Sequence, residues 1–130
     1  MTEPLFRKLD CYMLRADDFE AATAFYRDRL GHPLLWRTDD AIAFGLPESD
    51  AELVVHRALG PEANLLVGDA DQAYRQLIDA GATPIEQPFD IAIGRCAVVR
   101  DPFGNRLVVL DQSKGRLVTD AAHNVIDVRR

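Results

Sequence analysis

Most side chains in this sequence that could do chemistry fall in four short, strand-like runs. Lys8–Arg15 holds Cys11 and Met13, and a run at Glu52–Arg57 holds Val54 and His56. Glu62 and Asn64 fall around Ala63–Val67, and Val108 and Leu110 lie in Arg106–Asp111. Alternate residues of a strand share a face, so each of those pairs points one way. The opposite faces carry Tyr12 with Leu14, Leu53 with Val55, Leu65 with Val67, and Leu107 with Val109, a set suited to packing under helices. The first set mixes thiol, imidazole, carboxylate and amide with apolar groups, the pattern of a surface lining a concave cup. Glu62 has the chemistry of a general base, and Cys11 with His56 that of a nucleophile pair. Each also has a plainer role: a buried thiol, a hydrogen-bonded strand-end imidazole, and an exposed glutamate in the Leu59-Gly60-Pro61-Glu62 turn. Trp36 and Phe44, on intervening runs, suit stacking on a flat ligand or ordinary core packing.

The elements that position these residues come in a repeat. After the first run, Asp17-Asp18 offers a helix cap, and Phe19, Ala22, Phe25, Tyr26 and Leu30 recur at helical spacing up to Gly31. Extended runs follow at Pro33–Arg37, Ala41–Leu46 and Glu52–Arg57, separated by turn sequences. The order then restarts. Asp69 caps a helix marked by Ala73, Leu77, Ile78 and Ala80, Gly81 ends it, and extended runs follow near Thr83–Glu86, Arg95–Arg100 and Arg106–Asp111. Leu30-Gly31 matches Ala80-Gly81, and Leu53-Val54-Val55 matches Leu107-Val108-Val109. Residues 112–130 lie outside the repeat, where Leu117–Thr119 and Val125–Val128 suit a short hairpin.

Bulk properties narrow the function classes. The 130 residues carry a formal net charge of -6, with 48% hydrophobic and 28% charged side chains. Scattered basic residues in an acidic chain argue against nucleic acid or an anionic membrane as partner. No apolar run approaches the roughly 20 residues of a membrane helix. Met1-Thr2-Glu3-Pro4-Leu5 lacks the basic region and apolar core of a signal peptide, so a cytoplasmic location is expected. Cys11 and Cys96 then read as free thiols. No Ser/His/Asp arrangement, phosphate loop or dinucleotide fingerprint appears, and Gly94 and Gly104 are isolated.

The segment Ala24–Gly31 resembles the Phe-Tyr-x-x-x-Leu-Gly helix ending of the vicinal oxygen chelate superfamily: the glyoxalases, bleomycin-resistance proteins and extradiol dioxygenases. Asp101-Pro102-Phe103-Gly104-Asn105 resembles its Asp-Pro-x-Gly-Asn turn. The resemblance covers about Arg7 to Asp111. It implies an α+β fold in which two βαβββ modules, about 7–57 and 61–111, form a curved eight-stranded mixed sheet around an open cup. The helices lie on the convex face, residues 1–130 make one domain with an extension at 112–130, and the protein is a homodimer.

The resemblance also implies a divalent metal held from four strand positions, here Cys11, Val54, Glu62 and Val108. A valine has no lone pair to give, and two ligands fall short of the usual three. The expectation is therefore a protein without cofactor or metal that binds a small apolar or aromatic molecule. Cys11, Met13, Val54, Val108 and Leu110 would line its cup, His56, Glu62 and Asn64 would anchor the ligand, and Trp36 and Phe44 would stack on it. The alternative is a metal-dependent isomerase, lyase or dioxygenase with one divalent ion shifted onto Cys11, His56 and Glu62. Whether any reaction is catalysed stays open at this level.

Overall fold

The computed structural model describes residues 3–130, so Met1 and Thr2, the head of the N-terminal stretch read above, lie outside the described residues. The first module runs β1 (Lys8–Arg15), α1 (Phe19–Thr23), β2 (Leu34–Arg37), β3 (Ala41–Leu46) and β4 (Ser49–His56). The second runs β5 (Glu62–Leu66), α2 (Ala70–Asp79), β6 (Thr83–Ile91), β7 (Gly94–Arg100) and β8 (Arg106–Leu110). The expected βαβββ repeat and α+β class are thus observed. Two compact units divide the chain: Asp10–Glu62 with Val118–Asp127, and Ala63–Leu117 with the described residues up to Leu9 and Val128–Arg130.

Both modules have the same strand order. In the first it is β2-β3-β4-β1, and in the second, read from the other end, β6-β7-β8-β5. The first and last strands of each module pair in parallel, Met13 opposite Val54 and Asn64 opposite Val108. The remaining neighbours are antiparallel. A parallel pair needs a crossover, and the helix supplies its first leg.

Each helix starts where expected. Asp18 Oδ1 accepts from the Ala21 amide and Asp69 Oδ1 from the Gln72 amide, both at 3.0 Å. Gly31 and Gly81 then take positive φ, 85° and 116°, and end the two helical segments. Between Asp18 and Gly31, however, the α-helix expected to reach Leu30 stops at Thr23 and continues as a π-helical stretch, Ala24–Arg29. Its wider turn is closed by the Leu30 amide donating to the Phe25 carbonyl at 3.1 Å. Tyr26 packs on Phe44, ring centres 5.4 Å apart, while Phe25 stays exposed.

Helix packing buries one face of each sheet. In the first module Ala22, Leu34, Ile42, Phe44 and Val55 form the core under the helix. In the second, Val67, Ala70, Ala73, Ala97 and Val109 do so. Residues 112–130 form the expected hairpin of β9 (Arg116–Thr119) and β10 (Val125–Arg129). Its tip touches β2, where the Arg37 amide donates to the His123 carbonyl at 2.9 Å.

A single buried carboxylate ties several parts of the second module together. Asp111 follows β8 directly; its Oδ2 accepts from the Ala70 amide at the start of α2 at 2.8 Å. Its Oδ1 accepts from the Arg95 amide at 2.9 Å, the Ser113 amide at 3.1 Å and the Ser113 hydroxyl at 2.7 Å. Burial alone would raise its pKa, but these donors outweigh it and hold the carboxyl below its ordinary value. Gly94 passes so close that a Cβ there would run into the Asp111 side chain and backbone.

Asp111→Asn should lower stability by at least about 2 kcal/mol, because one carboxylate oxygen becomes a donor facing other donors. Gly94→Ala should destabilise comparably by overpacking. Since the folded-state pKa is depressed, the Asp111 contribution is complete above the ordinary carboxylate range and fades as pH falls through the lowered value. Urea titrations below about pH 4 should therefore show a shallower acid loss in Asp111→Asn than in the parent. An unchanged acid limb would remove Asp111 from this role.

Candidate functional site

The sheet faces turned away from the helices collect the residues singled out by alternation. In the first module Cys11, Ala41, Ala43 and Val54 form an apolar cluster with Met13 and Trp36 packed against it. In the second, Cys96, Val98, Val108 and Leu110 cluster with Ile85, Ile91 and Ile93. The floor of these faces is sealed, with Val54 2% and Val108 6% exposed. Met13, Trp36, His56, Glu62 and Asn64 are half-buried. The face assignments made for β4, β5 and β8 agree with this packing, as does that of Cys11 and Met13 on β1, but Tyr12, assigned to packing under the helix, is exposed. Nor does a lining of freely exposed cup residues fit, because Cys11, Val54, Val108 and Leu110 are all buried.

Trp36 reaches its face through an irregularity. By plain alternation it would join Leu34 under the helix. A register shift between Leu34 and Trp36 instead sets Leu34 opposite Phe44 and Trp36 opposite Ala43, on the other side of the sheet. There the indole Nε1 donates to Glu52 Oε1 at 2.9 Å. Glu52 is half-buried and lies opposite Cys11 in the β1–β4 register. It was not among the residues singled out from sequence, although its position two before Val54 puts it on the same face.

Phe44 does not belong to this surface. Its side chain is 0% exposed and packs under the helix with Ile42, Val55 and Tyr26. Stacking on a ligand is closed to it.

His56 also takes a different role from the reactive one considered. Its Nδ1 accepts from the Ala58 and Leu59 amides, each at 3.0 Å, so the ring ties down the turn after β4. Nδ1 must be bare to accept both, which leaves the proton on Nε2. In the β1–β4 register Cys11 pairs with Glu52 and Arg15 with His56. Four residues of strand are about 13 Å, too far for Cys11 and His56 to act as a nucleophile pair. Glu62 is the half-buried first residue of β5, on the strand where the ligand-anchoring reading put it and not in an exposed turn.

In the second module the amide of Asn64 sits opposite Val108 on the apolar face. Its Oδ1 is buried and has no hydrogen-bond partner. A buried acceptor left this way costs about 1–3 kcal/mol.

The donor set does not fit a metal. Among the described residues no three of His, Cys, Asp and Glu are grouped to hold an ion, so the shifted set Cys11, His56 and Glu62 is not assembled. Val54 and Val108 fill two of the four positions the resemblance gives to ligands. Cys11 and Cys96 are both buried and form no disulfide, as expected. His32 has a structural part, its Nδ1 lying 3.1 Å from the Gly45 carbonyl oxygen.

Comparison with known proteins agrees with this fold. The profile of the Glyoxalase/Bleomycin resistance protein/Dioxygenase superfamily matches residues 8–109, and the chain belongs to that family. Among solved structures, methylmalonyl-CoA epimerase from Mycobacterium tuberculosis aligns over 87% of this chain and 93% of its own, with TM-score 0.73 and 18% identity. The NAD-dependent benzaldehyde dehydrogenase structure from Legionella pneumophila aligns over 79% and 98%, with TM-score 0.65 and 18% identity. Homoprotocatechuate 2,3-dioxygenase from Brevibacterium fuscum aligns over 84% of this chain and 37% of its own, with TM-score 0.62 and 21% identity. At these identities the likeness is one of fold. No curated protein matches the sequence.

Trp36 is the single tryptophan, so its emission reports on the first module's non-helical face. Glu52→Leu should shift that emission by leaving the indole N–H without its acceptor, at a cost of about 1–3 kcal/mol. Phe44→Ala should cost about 3–5 kcal/mol, the range for an emptied aromatic core site, while leaving the emission maximum in place. Urea unfolding followed by fluorescence reads both; an emission shift in Phe44→Ala but not in Glu52→Leu would reverse the assignment of faces.

Proposed function

We propose that this protein binds a small organic molecule, apolar or aromatic and bearing a hydrogen-bond donor, on the sheet face opposite the helix of its second module, without a metal ion. The observation that carries the reading is Asn64. A buried amide oxygen without a partner, set in a wall of Val108, Leu110 and aliphatic neighbours, is an acceptor awaiting a donor. Met13, Trp36 and Glu52 give the first module half-buried apolar and polar contacts of the same kind. Cys11 and Val54 supply the apolar floor of the first module's face, and Val108 and Leu110 that of the second. Valines at two of the family's ligand positions support a binding mode that does not rest on coordination. Glu62 remains a polar anchor at the edge of this reading. Two buried cysteines that form no disulfide suit a reducing, cytoplasmic setting, and a homodimer is part of the proposal.

Thermal-shift screening of planar aromatic amines and amides, on protein whose metal content has been measured, tests this. Binders should raise the melting temperature of the parent protein. Asn64→Leu should fold as stably as the parent or better by up to about 1 kcal/mol, since it removes an unsatisfied polar atom, yet should lose the ligand response. Two results would sink the proposal: equal ligand stabilisation in Asn64→Leu, or near-stoichiometric retention of one divalent metal by the parent.

A further inference from the structure

A cavity of about 640 Å³ lies on the first module, away from the non-helical sheet face, and chain outside the family match helps to form it. Its walls come from α1 (Phe19, Glu20), the end of β2 and the turn after it (Arg37, Asp39), the residue after β4 (Arg57), and the C-terminal hairpin (Val125). Arg37 pairs with Ile42 in the β2–β3 register, on the helix side of the sheet, and bridges Asn124 of the hairpin.

The two guanidinium groups differ in how they are held. Arg57 is fixed in place. Its Nε donates to the Asp39 carbonyl at 2.7 Å, its Nη1 to the Asp17 carbonyl at 2.9 Å, and its plane lies 4.1 Å from the Phe19 ring centre. Carbonyls neutralise none of its charge. Arg37 is half-buried, and no carboxylate forms an ion pair with it among the described residues. Its guanidinium also makes no hydrogen bond to a side chain or backbone group among the described residues, so its planar donor edge is open to a ligand entering the cavity.

We propose that this cavity binds a small organic oxyanion, its carboxylate or phosphate engaging Arg37 in the planar, two-bonded manner of a guanidinium, with Arg57 as second cation. The Phe19 and Val125 side chains give the ligand's carbon skeleton an apolar wall. Glu20 and Asp39 oppose the anion, but both are exposed and stay hydrated and screened. Neither carboxylate forms an ion pair with Arg37 or Arg57, so both cations stay available to the ligand. The site is independent of the faces discussed above.

Protein-observed NMR titration with sodium benzoate, inorganic phosphate and neutral benzamide decides it. Benzoate or phosphate should move the amide resonances of Thr38, Asn124 and Val125 in the millimolar range, and which of them does so tells a carboxylate ligand from a phosphate one. Arg37→Gln should weaken that binding roughly tenfold, the worth of about one charge-assisted pair. Glu20→Gln, on an exposed helix residue, should strengthen it. Equal shifts with benzamide, no shift with either anion, or unaltered affinity in both variants would overturn the site.

Discussion

The parallel pairing of the first and last strand in each module is the constraint from which the remaining features follow. It brings β1 beside β4 and β5 beside β8, though some forty residues separate the partners in sequence. Parallel neighbours cannot be joined by a tight turn, so a helix must start the crossover and lie on one side of the sheet. That fixes which face is core. Val55 and Val109 are buried under helices, and their strand neighbours Val54 and Val108 point the other way. The same pairing sets Glu52 against Cys11 and Asn64 against Val108, so the candidate site is a by-product of how each module closes.

Module closure also explains where polar groups are tolerated. Asp111 sits where β8 ends and α2 begins, and its carboxylate meets amides from three directions. Such a group is stable when buried because both of its oxygens meet donors. Asn64 is the counter-case on the opposite face, a buried oxygen with none. The contrast between the two, within one module, is what gives the Asn64 oxygen its meaning. Where the fold needs a buried polar group it satisfies it, so an unsatisfied one points to a partner from outside.

Much of this was legible in the sequence, and the exceptions have physical causes. The repeat, the Asp69 cap, a first cap at Asp17 or Asp18, and the faces of β4, β5 and β8 followed from spacing alone. Phe44 was misplaced because Ala41-Ile42-Ala43-Phe44 is apolar throughout and has no polarity alternation to read. Its alternation of size was the available signal, since two alanines fit one face and the large side chains the other. Trp36 landed on the expected face only through a register shift that no residue type announces. Glu52 was passed over as the first residue of an extended run, whereas β4 begins at Ser49 and makes it an interior position. The π-helical stretch within Ala24–Arg29 leaves no mark on a helical periodicity. Nor does any local pattern reveal that Asp111 caps a helix 41 residues upstream.

Hydrogen bonds and coordination select ligands in different ways, and on the proposed reading the two valines shift this protein toward the first. A metal would polarise any pair of adjacent oxygens offered to it, with little regard for the rest of the molecule. An amide oxygen in an aliphatic wall rewards only a ligand that brings a donor to one point and apolar surface around it. A ligand lacking the donor leaves the oxygen as unpaired as before, and one with an acceptor there is repelled. On the proposed reading, then, losing ligand atoms at Val54 and Val108 exchanges reactivity for discrimination. The half-buried groups next to them, Glu52 two residues from Val54 and Asn64 opposite Val108, are where that discrimination is exercised.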